Sequence, residues 1–388
     1  MKMLIQGEQI DYLNVKQLVQ QIFGETQHAK RVQSLAGAAL GVLSSSSLII
    51  HRIGQGLARE NNLIAKHAIK QVDRLLSNKK LVLWECFEQW IPFMIGARKE
   101  VVIAMDWTEF DGDNQATIAL SLVTNHGRAT PLIWKTIDKD TLKDRRNAYE
   151  DECLLKLHSL LPADVKVTIL ADRGFCDTKL FEYLKGYLGF EFVIRIRKNI
   201  EVSDEKGKQQ KAIDWLGKNG RSRTIKNAKL TKQEYEVSTV VCVQAKGMKS
   251  AWCLATSDKT LSSSLIIRWY GKRWGIEPQF RDSKDIHFGM GLSHTRIHQT
   301  ERRDRLLLIS AIAVVILTLL GAAGESLGMD RELKANTVKR RTHSLFKQGY
   351  HYYHQLARML PEKAERLLNV FQKNLEEHKG LVNILGVI

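Results

Sequence analysis

Cysteine is scarce in this sequence, and its few cysteines show no pattern that would bind a metal or build a disulfide framework. The 388 residues include five cysteines, none of them in a CxxC pair or at another metal-ligand spacing. An odd number also argues against a fully paired set of disulfides. Thiolate metal sites and disulfide-stabilised secreted folds are therefore not indicated, and a reducing cytosol is expected.

Targeting signals, internal repeats and low-complexity tracts are also missing from the sequence. The opening residues, MKMLIQGEQIDYL, lack the apolar core of a signal peptide. The length predicts two or three domains with a sizeable core. A globular cytosolic protein is the expectation.

Acidic residues are in short supply outside one central segment. The net charge is +17, yet residues 93–194 carry 13 Lys and Arg against 16 Asp and Glu, whereas the rest of the chain is strongly basic. Cations suit the phosphates of a nucleic acid, and a local group of carboxylates suits a metal ion. This distribution favours a metal-dependent nuclease, with a soluble basic protein of another kind as the alternative.

One long apolar run raises the alternative of a membrane protein. Residues 306–324 contain no charged side chain over 19 positions, which is close to the length of a membrane span. Ser310, Thr318 and Gly321 within the run, and the polar sequence on both sides, favour a helix buried on all sides in a soluble core. No membrane partner is expected.

Residues 1–92 are predicted to form an N-terminal helical domain. The third predicted helix, which ends near Asn78, carries Lys66, Lys70 and Arg74 on one side. These cations indicate a DNA-end-binding domain, and a surface-charged helix that packs on the rest of the protein is the alternative.

Residues 93–198 show the element order of the first part of an RNase H-like core. Strand patterns cover 101–107, 117–137 with a turn at 125–128, 166–172 and 190–198, and helix patterns cover 141–160 and 177–188. The order strand–strand–strand–helix–strand–helix–strand is typical of that core, although other α/β folds share parts of it.

The second half of the chain divides into three predicted parts. Residues 199–261 form a β-rich insertion, 262–296 form a helix that completes the core, and 297–388 form a C-terminal helical region with breaks at Gly349 and Pro361. The predicted fold is therefore α/β: an RNase H-like catalytic core with a β-rich insertion, flanked by N-terminal and C-terminal helical domains.

Three carboxylates are the candidate catalytic and metal-binding residues. Asp106 and Asp172 each close an apolar strand, and Glu277 lies on the predicted helix. Converging carboxylates suit two Mg²⁺ ions, which support in-line phosphoryl displacement without a covalent protein intermediate. Individually, each acid has a structural alternative, namely a turn cap for Asp106, a pair with Arg173 for Asp172, and a helical pair with an arginine for Glu277.

A row of polar residues surrounds Glu277 in the sequence IRWYGKRWGIEPQFRDSK. Tyr270, Arg273, Glu277 and Lys284 stand at offsets of three, seven and fourteen, which return to nearly one helix face. Arg273 suits a bidentate phosphate contact, and Lys284 suits a point-charge contact. Pro278 disfavours a continuous helix, so the helix is expected to kink or break there.

These residues carry a resemblance to a known family. The spacing of Tyr270, Arg273, Glu277 and Lys284 resembles the signature of the insertion-sequence-four (IS-four) family of DDE transposases. Asp106 in AMDWTEF and Asp172 in LADRGF match the family's other two catalytic acids. The HGR turn, AKHAIKQVDRLL, GLSHTRIHQTERRD and ANTVKRR extend the resemblance over most of the chain.

The resemblance implies a function, a cofactor and partners. It implies a cut-and-paste transposase that binds terminal inverted repeats of double-stranded DNA as a homodimer, nicks the ends, forms and resolves hairpins, and joins 3′-OH ends to target DNA. Mg²⁺, with Mn²⁺ as a substitute, is the implied cofactor, and the bacterial cytoplasm, at the nucleoid, is the implied location. An RNase H-like nuclease without strand transfer and an inactive DNA-binding protein remain alternatives.

The resemblance also assigns further DNA contacts. Trp252 and Trp274 match positions that receive a base flipped out of the distorted duplex, and base–aromatic stacking is worth about 1–3 kcal/mol. Packing on the core is the alternative for both tryptophans. Arg281, His294 and Arg296 are further DNA-binding candidates.

Overall fold

One mixed β-sheet connects the predicted RNase H-like core and the predicted insertion. The computed structural model describes residues 10–217, 221–287 and 289–386, so most of the opening segment MKMLIQGEQIDYL lies outside the described residues. The described strands form a ten-stranded sheet in the order β3-β2-β1-β4-β5-β10-β9-β8-β6-β7. Their bounds are β1 Glu100–Phe110, β2 Gln115–Leu122, β3 Thr130–Asp138, β4 Lys166–Ala171, β5 Glu191–Arg195, β6 Glu201–Ser203, β7 Gln209–Lys211, β8 Arg223–Leu230, β9 Tyr235–Val243 and β10 Trp252–Thr256.

The first five strands have the predicted RNase H-like order. β1, β4 and β5 are parallel, and β2 and β3 continue from β1 as antiparallel neighbours. β1 and β4 form the buried centre of the sheet, where both faces are covered and apolar residues follow one another without a polar alternation. The mixed α/β fold with this strand order confirms the coarse fold prediction.

The insertion extends the core sheet instead of forming a separate layer. β10 pairs antiparallel with β5, with Thr256 opposite Val193, and β9, β8, β6 and β7 follow as antiparallel neighbours. The β-rich content was predicted from the sequence, whereas the continuous pairing was not. Edge pairing depends on backbone groups that any residue supplies, so side-chain patterns carry little information about it.

Thirteen α-helices surround the sheet in the described part of the chain. On the N-terminal side these are α1 Tyr12–Phe23, α2 Ala29–Ser45, α3 Ile50–Glu60, α4 Ala65–Leu76 and α5 Leu83–Ile95, and within the core α6 Arg146–Leu160 and α7 Thr178–Glu182, which continues as a π-helical turn, Tyr183–Tyr187. The remaining helices are α8 Ser263–Arg273, α9 Ile276–Lys284, α10 Thr300–Ser326, α11 Leu345–Gln355, α12 Pro361–Glu376 and α13 His378–Leu385. The N-terminal helices thus extend three residues past the predicted boundary at 92.

The apolar run at 306–324 lies within α10, the central helix of the molecule. Among the described helices α10 alone is long and apolar enough by itself to cross a membrane, but 83% of its most apolar window is buried inside the protein. It packs against α2, α11, α12 and β3. Its apolar surface is therefore covered by the protein's own helices and sheet.

The predicted helix break at Gly349 is wrong. Gly349 lies inside α11, where a Cβ atom would stand 1.7 Å from the carbonyl oxygen of Leu317 in α10. Gly321 faces it in the same way. Glycine is needed at this crossing for close approach of two backbones, not for a turn. Pro361 does begin a helix, at the first position of α12, where no backbone donor is required.

Candidate active site

The pairing of β1 with β4 brings Asp106 and Asp172 side by side. The last paired residues of these parallel strands are Met105 and Ala171, so the next residue on each strand is one of the two aspartates. Adjacent strands are about 4.8 Å apart, and side chains alternate between the two faces. Ala104 and Leu170, two residues earlier, pack on the same face. Both carboxylates therefore project towards that face.

Asp106 differs from its prediction in one respect. β1 does not end there but continues to Phe110, paired with β2. What ends at Asp106 is the pairing with β4, because β4 stops at Ala171 and Asp172 then accepts a hydrogen bond of 2.6 Å from the Gly174 N–H. On one side Asp106 is paired with β2, and on the other side the pairing with β4 has already ended.

α8 and α9 cover the face of the sheet from which the aspartates project. Ile266, Trp269 and Ile276 pack into a buried cluster with apolar side chains of β1, β4 and β5. Ser262 caps the start of α8, as predicted for the serine run, by accepting a hydrogen bond from the Leu265 N–H. This packing holds α8 and α9 over the parallel strands β1, β4 and β5.

The predicted kink or break at Pro278 is wrong in its position, because the helix is broken earlier, between Arg273 and Ile276. Trp274 and Gly275 have φ/ψ of −51°/−21° and −58°/−22°, which is 3₁₀ geometry. Pro278 is the third residue of α9, where its missing N–H leaves no helical hydrogen bond unmade. The prediction of one continuous helix face is corrected: Arg273 ends α8, and Glu277 begins α9.

Arg273 connects two of the three candidate carboxylates. Its Nη1 donates to Asp106 Oδ2 at 3.1 Å, and its Nη2 donates to Glu277 Oε1 at 3.0 Å. The Arg273 side chain is 8% exposed, whereas that of Glu277 is 38% exposed. The buried Arg273 guanidinium therefore supplies the positive charge between Asp106 and Glu277. Of these two acids, Glu277 is the more exposed and has more room to change its side-chain conformation.

Asp106 has the most strongly perturbed acid group of the site. The pKa of Asp106 is raised to about 6, mainly by burial and also by the negative charges of Asp172 and Glu277. The Arg273 charge and the Trp107 N–H, which donates at 2.9 Å, act in the opposite direction. The three acids thus act on one another electrostatically, and the group favours a bound cation.

The donor set fits a divalent cation only after a rearrangement. Within the described residues no three acidic, histidine or cysteine side chains stand close enough to form a ready cation site. Arg273 lies between Asp106 and Glu277, and each of these carboxylates offers it one oxygen. Oxygen-only donors suit Mg²⁺. Rotation of the half-exposed Glu277 away from Arg273 would free its carboxylate for this role.

Tyr270 and Trp252 pack against each other beside this centre. Their ring centroids are 4.9 Å apart at 73°, an edge-to-face contact that joins α8 to β10. Burial raises the pKa of the Tyr270 hydroxyl, which keeps it protonated as a donor. Trp252 is half-buried, and Trp274 is 62% exposed. Trp274 is therefore the accessible aromatic surface at the helix break.

Lys284, on α9, contacts the part of β1 that follows Asp106. Its Nζ donates to Thr108 Oγ1 at 3.1 Å and to the Glu109 carbonyl, and it lies 4.7 Å from the centre of the Phe110 ring. Burial lowers the pKa of its ammonium group. Lys284 thus faces the same strand as Asp106, two residues beyond it.

The other predicted DNA contacts are exposed and lie on separate elements. Lys66, Lys70 and Arg74 occupy one exposed face of α4, which packs mainly on α2, α3 and α10. The remaining candidates are also exposed: Arg281, His294 and Arg296. None of the six belongs to the group around Arg273.

Sequence reasoning did not identify Arg195, which continues the row of the two aspartates. The parallel register pairs Ala171 with Ile194, so Arg195 follows on β5 next to Asp172. A cleft of about 590 Å³ opens there, with basic residues at its walls: Arg173, Arg195, Arg197 and Lys198. The signal was present in FEFVIRIRK, where Arg195 follows an apolar strand as the aspartates do.

Comparison with known protein families gives a match. A family model described as the transposase DDE domain matches residues 97–316, which is more than half of the chain and includes Asp106, Asp172 and Glu277. A search of curated proteins returned no match.

Proposed function

The chain belongs to the transposases that carry a DDE domain, and we propose that it is a cut-and-paste transposase of the IS-four family that acts on its own terminal inverted repeats. Membership of the family supports a DNA-processing enzyme. The signature at 270–284 supports the narrower assignment, and the HGR turn and ANTVKRR most resemble the transposase of the tetracycline-resistance composite transposon.

The observation that carries the proposal is the grouping of Asp106, Asp172 and Glu277. They come from three elements far apart in the sequence, within the region that matches the DDE domain. The negative charges of Asp172 and Glu277 both raise the pKa of Asp106. A protein whose carboxylates served only as caps or surface pairs would have no reason to group them beside a basic cleft.

We assign Mg²⁺, with Mn²⁺ as a substitute, to these three carboxylates. Bound there, the ion would supply Lewis acidity for phosphoryl transfer. Asp106 and Asp172 would be the fixed ligands because both are anchored on the sheet. Glu277 would be the adjustable ligand, since it lies on a half-exposed position at the start of α9.

The surrounding cations and aromatics would hold DNA at the carboxylates. Arg195 and its neighbours in the cleft provide positive charge next to Asp172. Tyr270, Arg273 and Lys284 are assigned to phosphates near the scissile bond. Arg281, His294 and Arg296 are weaker candidates for the same backbone.

The aromatic residues are assigned to the hairpin step. The proposed sequence is a nick, attack of the freed 3′-OH on the opposite strand, opening of the hairpin by water, and joining of the 3′-OH to target DNA. Hairpin formation distorts the DNA duplex, and a base flipped out of the stack relieves that distortion. Trp252 and Trp274 would receive the flipped base.

The remaining assignments concern assembly and location. Lys66, Lys70 and Arg74 would contact the terminal repeat from the N-terminal helical domain, and the end complex would be a homodimer. The burial of α10 supports a soluble protein, and we place it in the bacterial cytoplasm at the nucleoid.

The test is cleavage of a linear DNA fragment that carries the inverted repeats flanking the reading frame. Nicks, hairpins and double-end breaks are expected with Mg²⁺ and not with Ca²⁺, and Asp106→Asn should abolish all three. Asp140→Asn is the matched control, because it makes the same chemical change at an exposed aspartate outside the carboxylate group and should leave all three products unchanged.

Two results would change the proposal. Binding of the repeats without cleavage in either Mg²⁺ or Mn²⁺ would refute an active transposase and leave an inactive DNA-binding protein. Cleavage without joining of precut 3′-OH ends to a plasmid would identify a nuclease that lacks strand transfer.

A further inference from the structure

A basic segment at residues 331–341 is not used by the proposed chemistry. Its sequence, RELKANTVKRR, has five cations and one acid. After the 3₁₀ helix Met329–Leu333 it runs without helix or strand to Ser344, which caps α11. A segment of this charge on the surface of a DNA-processing enzyme requires a physical explanation.

Two residues of the basic segment, Lys334 and Arg341, are held by ion pairs. Lys334 Nζ lies 2.6 Å from Asp330 Oδ2, and Arg341 Nε donates to Glu325 Oε2 at 2.7 Å. Arg341 also donates from Nη1 to the Asn125 carbonyl at 3.0 Å. These contacts hold the segment in one place without a secondary structure of its own.

Other cations of the basic segment are available to a ligand. Arg331, Lys339 and Arg340 are exposed, and their side chains form no hydrogen bond or ion pair with the part of the chain that the structure describes. A cleft of about 410 Å³ lies here, and no carboxylate lines it; its walls are Arg331, Lys334, Ala335, Asn336, Val338 and Lys339. A positive cleft with fixed walls suits a phosphate.

A chain of contacts connects the basic segment to the active site. Asn125, which accepts from Arg341 through its carbonyl, accepts from Lys272 through its side chain. Farther along the same loop, the Ala129 N–H donates to the Gly275 carbonyl at 3.1 Å, at the break between α8 and α9. The segment therefore lies against the loop that supports the helix break next to Arg273 and Glu277.

We propose that the basic segment binds the phosphate backbone of double-stranded DNA, with Lys339 and Arg340 as the principal contacts. The proposal rests on the proposed function for its choice of polyanion. A duplex held at the active site is a rigid rod, and a charged segment connected to the active-site loop is placed to contact that duplex or a second one. End DNA and target DNA have the same backbone chemistry, so the experiment must distinguish them.

The test is the salt dependence of DNA binding by Lys339→Ala/Arg340→Ala. Binding is measured in Ca²⁺, so no cleavage is required, and binding of the terminal-repeat fragment does not depend on whether the protein is an active transposase. Each phosphate contact contributes about 0.9 to the slope of log K against log salt, so losing both should reduce the slope by about 1.8.

Two versions of the binding experiment distinguish end DNA from target DNA. The first uses a fragment with the terminal repeat, and the second uses capture of plasmid target DNA by preassembled end complexes. A reduced slope in the first arm assigns the segment to end DNA, and one in the second arm alone assigns it to target DNA. Unchanged slopes in both arms would overturn the proposal.

The matched control removes the same charge from another surface. Lys373→Ala/Lys379→Ala changes two exposed lysines on α12 and α13 and should leave both slopes as in the unmodified protein. An equal loss in this control would mean that net charge alone is responsible, and the assignment would fail. Urea unfolding of both variants tests whether the fold is retained, and cooperative transitions like that of the unmodified protein are expected.

Discussion

Arg273 decides the electrostatic state of the carboxylate group. A buried guanidinium that bonds both Asp106 and Glu277 neutralises charges that would otherwise repel. Its own Nε is buried and has no hydrogen-bond partner among the described residues. Such an arrangement is costly for folding alone, which supports a functional reason for the arginine.

Replacing Arg273 by alanine should destabilise the metal-free protein mainly above pH 6. It leaves the largely buried Asp106 charge without its partner, which should cost about 2 kcal/mol at pH 7.5. At pH 5 the cost should shrink, because Asp106 is then protonated in both proteins. Urea unfolding at the two pH values measures it; a cost independent of pH would contradict the assigned ion pair.

The raised pKa of Asp106 predicts competition between protons and Mg²⁺. Only the ionised carboxylate binds the ion, and the proton leaves as the pH rises through about 6. Between pH 7.5 and 5.5 the ionised fraction falls about fourfold, so the Mg²⁺ concentration for half-maximal nicking should rise about fourfold. An ordinary aspartate would give almost no change over this range, and that result would refute the shift.

At the scale of elements, the contact between α10 and α11 is set by two glycines. Gly349→Ala places a methyl group against the Leu317 carbonyl, and backbone on both sides prevents relief. A loss of about 3 kcal/mol is expected in urea unfolding. Gly380→Ala in α13 is the control, because its nearest neighbour would be 3.6 Å away, and it should be neutral or slightly stabilising.

Elements with strong local patterns could be predicted from the sequence. The helix that ends near Asn78, the strands before the aspartates and the hairpin around 125–128 all follow from apolar periodicity and turn residues. The break at Trp274–Gly275 could be foreseen only in part. Pro278 indicated that the helix is interrupted. The position of the interruption, however, depends on how α8 and α9 pack on the sheet.

At the scale of the whole molecule, α10 joins parts that are distant in sequence. It contacts N-terminal helices, the sheet and the C-terminal helices. In a detergent phase-separation assay the protein should remain in the aqueous phase, because the apolar surface of α10 is already covered. Recovery in the detergent phase would instead support a membrane span.

The sequence by itself identified the three candidate acids, that Asp172 follows a strand and Glu277 lies on a helix, and the basic character around them. These properties are local, because they depend on residue type and short-range periodicity. Only the tertiary structure decided that Arg273 bridges Asp106 and Glu277, that Arg195 joins the aspartate row, and that the basic segment reaches the active-site loop. Each depends on strand register or on contacts between residues far apart in the chain, such as the 167 positions between Asp106 and Arg273, and no local pattern specifies which distant groups the packed chain brings into contact.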